Sequence, residues 1–600
     1  MIKLSDYVIE FLANAGLKHI FLLPGGGAMH LVDSVGKCDR IEYVCNLHEQ
    51  ACAIAADAYG QYTNRFGAAL VTTGPGGTNT LTGVAAAWLD STPCLFISGQ
   101  VKRADIVGTR GVRQIGFQEI DIVRVVSPIT KYAVTVMDPQ TIRYHLEKAL
   151  LLATSGRPGP VWLDIPLDVQ AAQIDPGELA GLTPAELAQP DEAEQLSAAV
   201  ARTIELLNGS ERPCILAGNG VRLAGALLEF QQLIEWLQVP VLTSWKAIDF
   251  LPESHPLYAG RPGSVGQRGA NFTLQNADFV LALGARLDYG QTGYNPRTFA
   301  RAARKVIVDI DPAEVAKLGP VDVAAVCDAR AFLAGFLSRK QRVAAGGREA
   351  WRARVRDWKN RYPVVLPEYW EQPDRVNNYV LVQVLGEEMA AGDLLVPGSS
   401  GACSEITMQA FPVKEGMRIF NSEGLGPMGF ALAAALGACV ASGGRRTVTI
   451  DGDGGFQMNS QELETVRRLN LPIKIFVLNN NGYGSIRATQ RTYFQSRFVA
   501  SHPSGGLTLP DTLRIAAAYG IAGRRIADHA GLREAVREVL DSPGPMVCEV
   551  MISPEQFTAP RVSSAQRADG SMVSKPMEDM WPFLERDEFA ANMLIPTLES

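Results

Sequence analysis

Short apolar runs alternate with amphipathic stretches along most of the chain, which is the pattern of repeated strand–helix–strand units. Four such apolar runs lie near the N-terminus, at residues 19–23, 41–47, 68–72 and 94–98. The alternation restarts at Cys214 and again near residue 376, and it stops near residue 550. Because strand–helix–strand repeats build parallel sheets, we predict an α/β protein with three doubly wound parallel-sheet domains.

Breaks in this pattern divide the chain into units. Residues 171–195 contain proline and glycine and predict a linker, and the charged, aromatic stretch 341–375 predicts a connecting helix and a second linker. We therefore predict domains at residues 1–185, 190–345 and 370–555, followed by a C-terminal tail or lid at residues 556–600. The first and third domains resemble two versions of one architecture.

Composition excludes several classes of protein. The chain is 47% hydrophobic and 20% charged, which is typical of a large soluble α/β protein. Its net charge of −7 gives no reason to expect nucleic acid or an anionic membrane as a partner, and no apolar run is long enough to span a bilayer. The N-terminus lacks a signal-peptide layout and the nine cysteines are scattered, so we expect a cytoplasmic protein.

The strongest chemical signal lies in one predicted strand–helix–strand unit at residues 447–478. Its first strand ends in Asp-Gly-Asp-Gly-Gly and its second in Asn-Asn-Asn-Gly, and both ends lie at the same edge of a parallel sheet, where ligands bind. The oxygens of Asp453 and Asn480, with glycine-exposed backbone N–H groups, suit Mg²⁺ holding a diphosphate. A turn and a helix cap without a ligand would explain either half alone, but the two halves together favour the metal site.

Gly452-Asp453-Gly454, followed by Asn480 27 residues after Asp453, resembles the thiamin diphosphate (ThDP) signature. The resemblance extends over nearly the whole chain and is closest to the acetolactate synthase branch of the pyruvate decarboxylase-like enzymes. It implies a pyrimidine-binding first domain, a central FAD-binding-like domain and a third domain for diphosphate and Mg²⁺. It also implies a homo-oligomer, a dimer or tetramer, with active sites between subunits.

Glu49 is the candidate catalytic residue. The segment from Leu47 to Tyr59 resembles the family segment whose carboxylate hydrogen-bonds N1′ of the aminopyrimidine and promotes the tautomer that deprotonates C2 of the thiazolium. Such a role needs a carboxyl group in a partly apolar setting. The alternative is an ordinary glutamate favoured by a helix N-terminus, and the motif context favours catalysis.

The resemblance assigns further residues to ThDP and to the metal. Asp453, Asn480 and the backbone carbonyl of Gly482 would bind Mg²⁺. The implied ThDP contacts are Pro24, Gly25, Gly26, Gly74, Gly76, Asn79, Gly401, Gly424, Met428, Gly452, Gly454 and Gly455. Met428 resembles the apolar prop that bends the cofactor, although composition alone would place Met428 and Met458 in the core. Ser399, Ser400 and Ser404 are candidate hydroxyl donors to the phosphates.

The central domain resembles the FAD-binding domain of acetolactate synthases, in which the flavin is structural. The residues implied for FAD are Arg157, Gly218, Gly220, Arg286, Asp309 and Asp328. A nicotinamide site is disfavoured, because Leu223 occupies the third glycine position of the GxGxxG motif. The alternative is a vestigial domain that holds ADP or nothing.

The implied substrate pocket departs from the family. Its residues are Gly27, Phe117, Gln118, Leu167, Gly290, Met458 and Thr489. Leu167 stands where acetolactate synthases usually have lysine, Gly290 where they have arginine, and Thr489 where they have tryptophan. Cations would hold the carboxylate of a 2-oxo acid acceptor, so this pocket is roomier and less suited to one, although Arg487 and Lys102 could compensate.

These features predict a ThDP-dependent carboligase that decarboxylates pyruvate, or a similar 2-oxo acid, and transfers the two-carbon acyl carbanion to a carbonyl acceptor. The overall similarity favours a second pyruvate as acceptor. The three departures favour a bulkier ketone, such as a keto-deoxy nucleotide sugar. The rivals are a flavin-dependent pyruvate oxidase and a catalytically dead binding protein, and the latter would be expected to lack Glu49 or Asp453.

Overall fold

The computed structural model describes residues 1–183, 186, 193–344, 346–398, 401–566 and 572–598. Within these residues, three six-stranded sheets form the framework, and all strand pairs inside them are parallel. The predicted α/β fold with three parallel-sheet domains is therefore confirmed. The predicted boundaries at residues 185, 190 and 345 lie outside the described residues, as do Ser399 and Ser400.

The first and third sheets share one topology. Numbered within its own sheet, each has the strand order 2-1-3-4-6-5. In spatial order the first sheet contains Glu42–Cys45, His19–Leu22, Gly67–Val71, Cys94–Gln100, Pro160–Pro166 and Tyr132–Thr135. The third contains Arg418–Ile419, Leu394–Pro397, Thr447–Gly452, Ile473–Asn479, Met546–Met551 and Ala522–Ile526. The predicted likeness of the two domains is thus confirmed.

The middle sheet has a different order, 3-2-1-4-5-6, which is that of dinucleotide-binding folds. Its strands are, in spatial order, Tyr258–Gly260, Val241–Thr243, Pro213–Ala217, Phe279–Leu283, Arg304–Asp309 and Val323–Val326. The order reverses between the strands Pro213–Ala217 and Phe279–Leu283. A crevice at the carboxyl ends of those two strands is the expected ligand site of such a sheet.

Helices connect the strands. In the first domain they are Leu4–Asn14, Met29–Lys37, Glu49–Thr63, Pro75–Asn79, Leu81–Leu89, Ile122–Val126, Ile142–Thr154 and Leu167–Gln170. The middle domain and its connection contain Ala193–Asn208, Gly220–Leu223, Leu227–Leu237, Arg268–Asn276, Pro312–Ala316, Ala329–Leu337 and Glu349–Arg361. The third domain and tail contain Asn378–Glu388, Ala402–Ala410, Phe430–Ala441, Asp453–Phe456, Glu462–Arg468, Gly484–Tyr493, Thr512–Ala518, Leu532–Asp541 and Arg586–Asn592. Among the described residues, no helix has the length and apolarity needed to cross a bilayer.

The first and third domains of one chain are packed together through two small-residue helices, Glu49–Thr63 and Phe430–Ala441. Both helices are buried along most of their length. Their backbones approach closely because a Cβ at Gly437 would overlap the carbonyl group of Ala55. Their side chains belong to one continuous core. The alanine-rich sequence therefore places the helix that begins at Glu49 directly against the third domain.

The described part of the tail packs against the middle domain. Met577, Met580 and Phe589 are buried there. Arg268 donates a hydrogen bond to the carbonyl oxygen of Pro582, at 2.6 Å, and Asn271 donates one to that of Met577, at 2.9 Å. These contacts attach the chain beyond residue 556 to the helix Arg268–Asn276.

Candidate active site

The two polar clusters predicted to meet do lie side by side at the end of the third sheet. The strand Thr447–Gly452 pairs with Ile473–Asn479, so both clusters begin at the same edge. The carboxylate of Asp453 is 3% exposed and accepts hydrogen bonds from the backbone N–H groups of Gly454, at 2.9 Å, and Gly482, at 3.1 Å. Asp453 therefore joins the loops that follow two neighbouring strands.

The side chains at this edge fit a divalent cation. The Oδ1 atom of Asn480 is buried and accepts no hydrogen bond from any described residue. The amide oxygens of Asn46, Gln170, Asn378 and Asn421 also lack a partner among the described residues, but that of Asn480 lies at the same sheet edge as Asp453, where a bound ion would explain it. Burial raises the pKa of Asp453 to about 6, while the N–H groups of Gly482 and Gly454 lower it. A carboxylate and an unpartnered amide oxygen are the hard ligands that Mg²⁺ prefers.

Arg487 supports the loop that carries Asn480. Its guanidinium is 2% exposed and donates hydrogen bonds to the carbonyl oxygens of Asn480, at 3.0 Å, and Asn481, at 3.4 Å. Sequence reasoning considered Arg487 only as a substitute cation for the substrate. In the structure its donors are turned to the loop that carries Asn480, so its role is to position that loop.

Replacing Arg487 with methionine is expected to weaken Mg²⁺ binding by about 10- to 100-fold, because supporting groups around metal ligands typically contribute that much. The apparent dissociation constant would be measured by Mg²⁺ titration of ThDP-dependent tryptophan fluorescence. Arg491→Met is the control, since Arg491 lies on the same helix and contacts Glu555 instead. An unchanged Mg²⁺ affinity in Arg487→Met would contradict the assignment.

Glu49 and Asn79 form the polar centre of the first domain. Glu49 is buried at the first turn of the helix Glu49–Thr63, where the helix dipole favours a negative charge. Asn79 donates a hydrogen bond from Nδ2 to Oε2 of Glu49, at 3.0 Å. The ring of His48 caps the same helix by accepting from the N–H of Gln50, at 3.0 Å. The candidate catalytic carboxylate is thus held in one orientation.

Loops from three places in the first domain approach one another because glycines allow close contact. A Cβ at Gly25 or Gly27 would overlap Thr72 or Thr73, and a Cβ at Gly74 would overlap the carbonyl oxygen of Gln118. Gly74 has φ +63°, a conformation that favours glycine. Pro24 and Gly26 belong to the first of these loops, and Gly76 lies in the short helix Pro75–Asn79.

A buried glutamate that the sequence analysis missed, Glu462, connects the third domain to the first within one chain. Oε1 of Glu462 accepts hydrogen bonds from the N–H groups of Leu47, at 2.8 Å, and His48, at 3.1 Å. Its Oε2 accepts one from Nδ2 of Asn46, at 2.9 Å. The only sequence signal was a glutamate in the helix that follows the Gly-Asp-Gly motif, a position where an exposed charge is ordinary.

Within the described part of the chain, no hydrogen bond or ion pair joins Glu49 to Asp453 or Asn480. The candidate substrate residues are likewise separate. Leu167 begins a helix of the first domain, the carbonyl of Gly290 accepts from Ser264 in the middle domain, and Thr489 donates to Ser485 in the third. One chain therefore presents two half-sites: Glu49 with Asn79 in the first domain, and Asp453 with Asn480 in the third.

The methionines near these half-sites are not core residues. Met428 is 38% exposed and Met458 is 44% exposed, so the core interpretation that composition favoured is wrong. Phe117 is 86% exposed on the loop of the first domain, next to Gln118. Gly401 caps the helix Ala402–Ala410, and the N–H of Gly424 donates to Asp90 at 2.9 Å. Ser404, a candidate phosphate donor, is buried.

A second site lies where the three domains meet, in a cavity of about 110 Å³ at the carboxyl ends of the middle sheet. The loops after Pro213–Ala217 and Phe279–Leu283 touch there, because a Cβ at Gly220 would lie 2.6 Å from the Cα of Gly284. Of the residues predicted for FAD, five line the cavity: Arg157, Gly220, Arg286, Asp309 and Asp328. Gly218 instead packs against Ala285, where a Cβ would overlap the backbone.

The arginine of the first domain is fixed at the mouth of this cavity. Arg157 forms ion pairs with Asp311, at 2.9 Å, and Glu314, at 2.7 Å. A wider groove of about 660 Å³ continues outward from there past Trp88 and Tyr289. The cavity and groove together form an elongated space with a charged inner part and an aromatic outer part. Sequence reasoning missed Asp90, Lys246 and Glu423, which come from three separate segments and also line the inner part.

Comparison with known proteins agrees with this architecture. Models of the thiamine pyrophosphate enzymes match the N-terminal TPP binding domain at residues 2–125, the central domain at 200–336 and the C-terminal TPP binding domain at 399–550. The acetolactate synthase large subunit of Parasynechococcus marenigrum is 35% identical, over 95% of this chain and 90% of that protein. Those of Cyanidium caldarium and maize (acetolactate synthase 1, chloroplastic) are each 32% identical, over 93% and 94% of this chain and 94% and 87% of theirs.

The chain belongs to the thiamine pyrophosphate enzymes, and ThDP is its cofactor. Within that class it belongs to the acetolactate synthase family, as the length and continuity of the matches show. The resemblance seen in the Gly-Asp-Gly motif is thereby confirmed, and the chain is an enzyme that forms carbon–carbon bonds.

Proposed function

We propose that the enzyme decarboxylates pyruvate, or a similar 2-oxo acid, and transfers the two-carbon acyl unit to a carbonyl acceptor. One observation carries the proposal. The buried carboxylate of Glu49, hydrogen-bonded by Asn79, lies at the edge of one sheet. The unpartnered amide oxygen of Asn480 and the carboxylate of Asp453 lie at the edge of another. These are the two groups of side chains that a ThDP-dependent carboligase needs.

The residues divide the work between proton transfer and cofactor binding. Bound ThDP supplies an electron sink for decarboxylation. Glu49 exchanges a proton with the aminopyrimidine, and Asn79 keeps its carboxylate oriented. Asp453, Asn480 and the carbonyl of Gly482 would hold Mg²⁺, and the lack of side chains at Gly452, Gly454 and Gly455 would let a diphosphate approach the backbone. Met428 props the cofactor from its exposed loop.

The proposed domain roles follow from these half-sites. Residues 1–185 bind the pyrimidine, 190–345 bind the flavin, 370–555 bind the diphosphate and Mg²⁺, and 556–600 form a tail. Because the family resemblance implies shared active sites, and because no hydrogen bond or ion pair joins Glu49 to Asp453 or Asn480 among the described residues of one chain, we place the complete site between subunits of a homodimer or homotetramer. Exposed apolar side chains beside both half-sites support such an interface: Met29, Leu47, Phe117, Leu425, Met428, Met458 and Ile486. Cys52, Cys94, Cys214, Cys439 and Cys548 are buried free thiols, which supports a reducing, cytoplasmic location.

FAD is the proposed ligand of the cavity in the middle domain. Sheets with this strand order bind dinucleotides at the switch point, here between Pro213–Ala217 and Phe279–Leu283, and the position of the cavity at that point supports FAD as its ligand. Arg157 and Arg286 provide cations for a pyrophosphate, and Asp309 and Asp328 lie at strand ends where ribose hydroxyls bind in such folds. The proposed flavin role is structural, as the family resemblance implies.

The acceptor is the part of the proposal with a second candidate. A second pyruvate would give acetolactate, which the family favours. The uncharged Leu167 and Gly290 and the small Thr489 favour a bulkier ketone, such as a keto-deoxy nucleotide sugar, because two positions that carry cations for an acceptor carboxylate in the family are uncharged here.

Product analysis tests the proposal. The protein would be incubated with ThDP, Mg²⁺, FAD and pyruvate, with and without candidate ketones, and the products identified by mass spectrometry. Acetolactate formed rapidly without an added ketone would reject the bulky acceptor. Anaerobic bleaching of the flavin by pyruvate would identify an oxidase instead. Carbon dioxide release that is unchanged in Glu49→Gln would reject the proposed active site.

A further inference from the structure

Glu423 lies in the wall of the interdomain cavity and belongs to neither half-site. It follows the strand Arg418–Ile419 of the third domain and is partly buried. Across the described residues, its carboxyl group makes no hydrogen bond or ion pair. A carboxylate in such a position must either find a cation or become neutral.

The cations nearest to Glu423 already have other partners. Lys246 contacts Asp90 at 3.1 Å and also donates to Gln61 and Asn421. Arg286 lies 3.8 Å from Asp288 and 4.0 Å from Asp90, and it donates to the carbonyl of Leu89. The two cations Lys246 and Arg286 therefore face three carboxyl groups. Asp90 and Asp288 are paired with them, and among the residues described Glu423 is not.

The remaining charged groups of the cavity do not change this balance. Arg157 is paired with Asp311 and Glu314 on the far side. Asp309 and Asp328 add further negative charge at the strand ends, and none of the described lining residues is a histidine. Burial, with the charges of Asp288 and Asp90, raises the pKa of Glu423 to about 8, against the opposing effect of Arg286 and Lys246. At neutral pH its carboxyl group is therefore mainly protonated.

A protonated carboxyl group is a hydrogen-bond donor as well as an acceptor. We propose that Glu423 determines the specificity of this cavity by donating a hydrogen bond to an uncharged ring nitrogen or carbonyl oxygen of the bound dinucleotide. Loss of the proton removes that donor and adds a negative charge to the wall. The cavity then repels a ligand that already carries a pyrophosphate. This inference rests on the proposed flavin site and names the residue that makes flavin binding dependent on pH.

The test measures FAD affinity from pH 6.5 to pH 9.5 by quenching of flavin fluorescence on the apoprotein. Wild-type protein should bind FAD most tightly below pH 8, because the donor is present when the carboxyl group is protonated. Above that pH the dissociation constant should rise, approaching about tenfold per pH unit for the loss of one proton. Glu423→Gln keeps an uncharged donor, so its affinity should stay constant across the range.

Two further variants complete the design. Glu423→Ala should bind FAD weakly and without pH dependence, and Glu415→Gln, an exposed glutamate of the same domain, should keep the wild-type slope. A flat wild-type profile, or a slope retained in Glu423→Gln, overturns the inference but leaves the flavin site in place. Absence of FAD binding at every pH overturns both the inference and the proposed flavin site. Carboligase activity is measured in a separate assay, by carbon dioxide release. The wild-type profile needs no variant, so a misfolded variant would not prevent the test.

Discussion

Glu49→Gln is expected to lower kcat by about 10²- to 10⁴-fold, the usual contribution of a positioned acid–base group. Glutamine has nearly the same shape and keeps an oxygen that can accept the hydrogen bond from Asn79. It cannot exchange a proton with the aminopyrimidine, so binding should remain while turnover falls. Carbon dioxide release from pyruvate would give kcat, and fluorescence titration would give the ThDP dissociation constant.

The matched control for this substitution is Glu42→Gln, because Glu42 lies in the same domain with an 85% exposed side chain. It should leave both kcat and ThDP affinity at wild-type values. Hydrogen–deuterium exchange at C2 of bound ThDP provides a readout that a general packing defect would not move, and it should slow in Glu49→Gln. Full turnover in that variant would remove Glu49 from the catalytic role.

Asp453→Asn is expected to weaken Mg²⁺ binding by more than about 100-fold, beyond what the loss of a supporting residue typically costs. The substitution removes the negative charge beside the unpartnered oxygen of Asn480. It also replaces one of the two oxygens that accept the N–H groups of Gly454 and Gly482. The concentration of Mg²⁺ that gives half-maximal activity at saturating ThDP and pyruvate would measure the effect.

Activity in Asp453→Asn should return in part at high Mg²⁺, since Asn480 and the Gly482 carbonyl remain. Asp541→Asn is the control, because Asp541 belongs to the same domain and its side chain is 69% exposed. A variant that needs no more Mg²⁺ than the wild type would show that Asp453 does not bind the metal.

The chain's local patterns predicted the three parallel-sheet domains and placed Glu49, Asp453 and Asn480 at strand ends. This succeeded because strand and helix periods are local properties, and because the carboxyl ends of successive parallel strands must share one edge. The pairing of Thr447–Gly452 with Ile473–Asn479 followed from the alternation alone. Assignment of the half-site residues to a reaction needed the family resemblance.

Contacts between domains had no counterpart in those patterns. Glu462 and the carboxyl groups around Lys246 look like ordinary charged positions in the sequence. Asp90 and Gly424, which bond across the cavity, are 334 residues apart. Whether such a residue is exposed or enclosed depends on how whole sheets and helices pack, which no short window of sequence contains.

The sequence by itself therefore determined the class of cofactor and the edges at which chemistry occurs. Only the tertiary structure decided which oxygen of those edges lacks a partner, that Arg487 supports the metal loop, and that Glu423 faces a cavity whose cations are paired with other carboxylates. The physical reason is that the cost of burying a polar or charged group depends on its final surroundings. Those surroundings form only when segments that are distant along the chain come together.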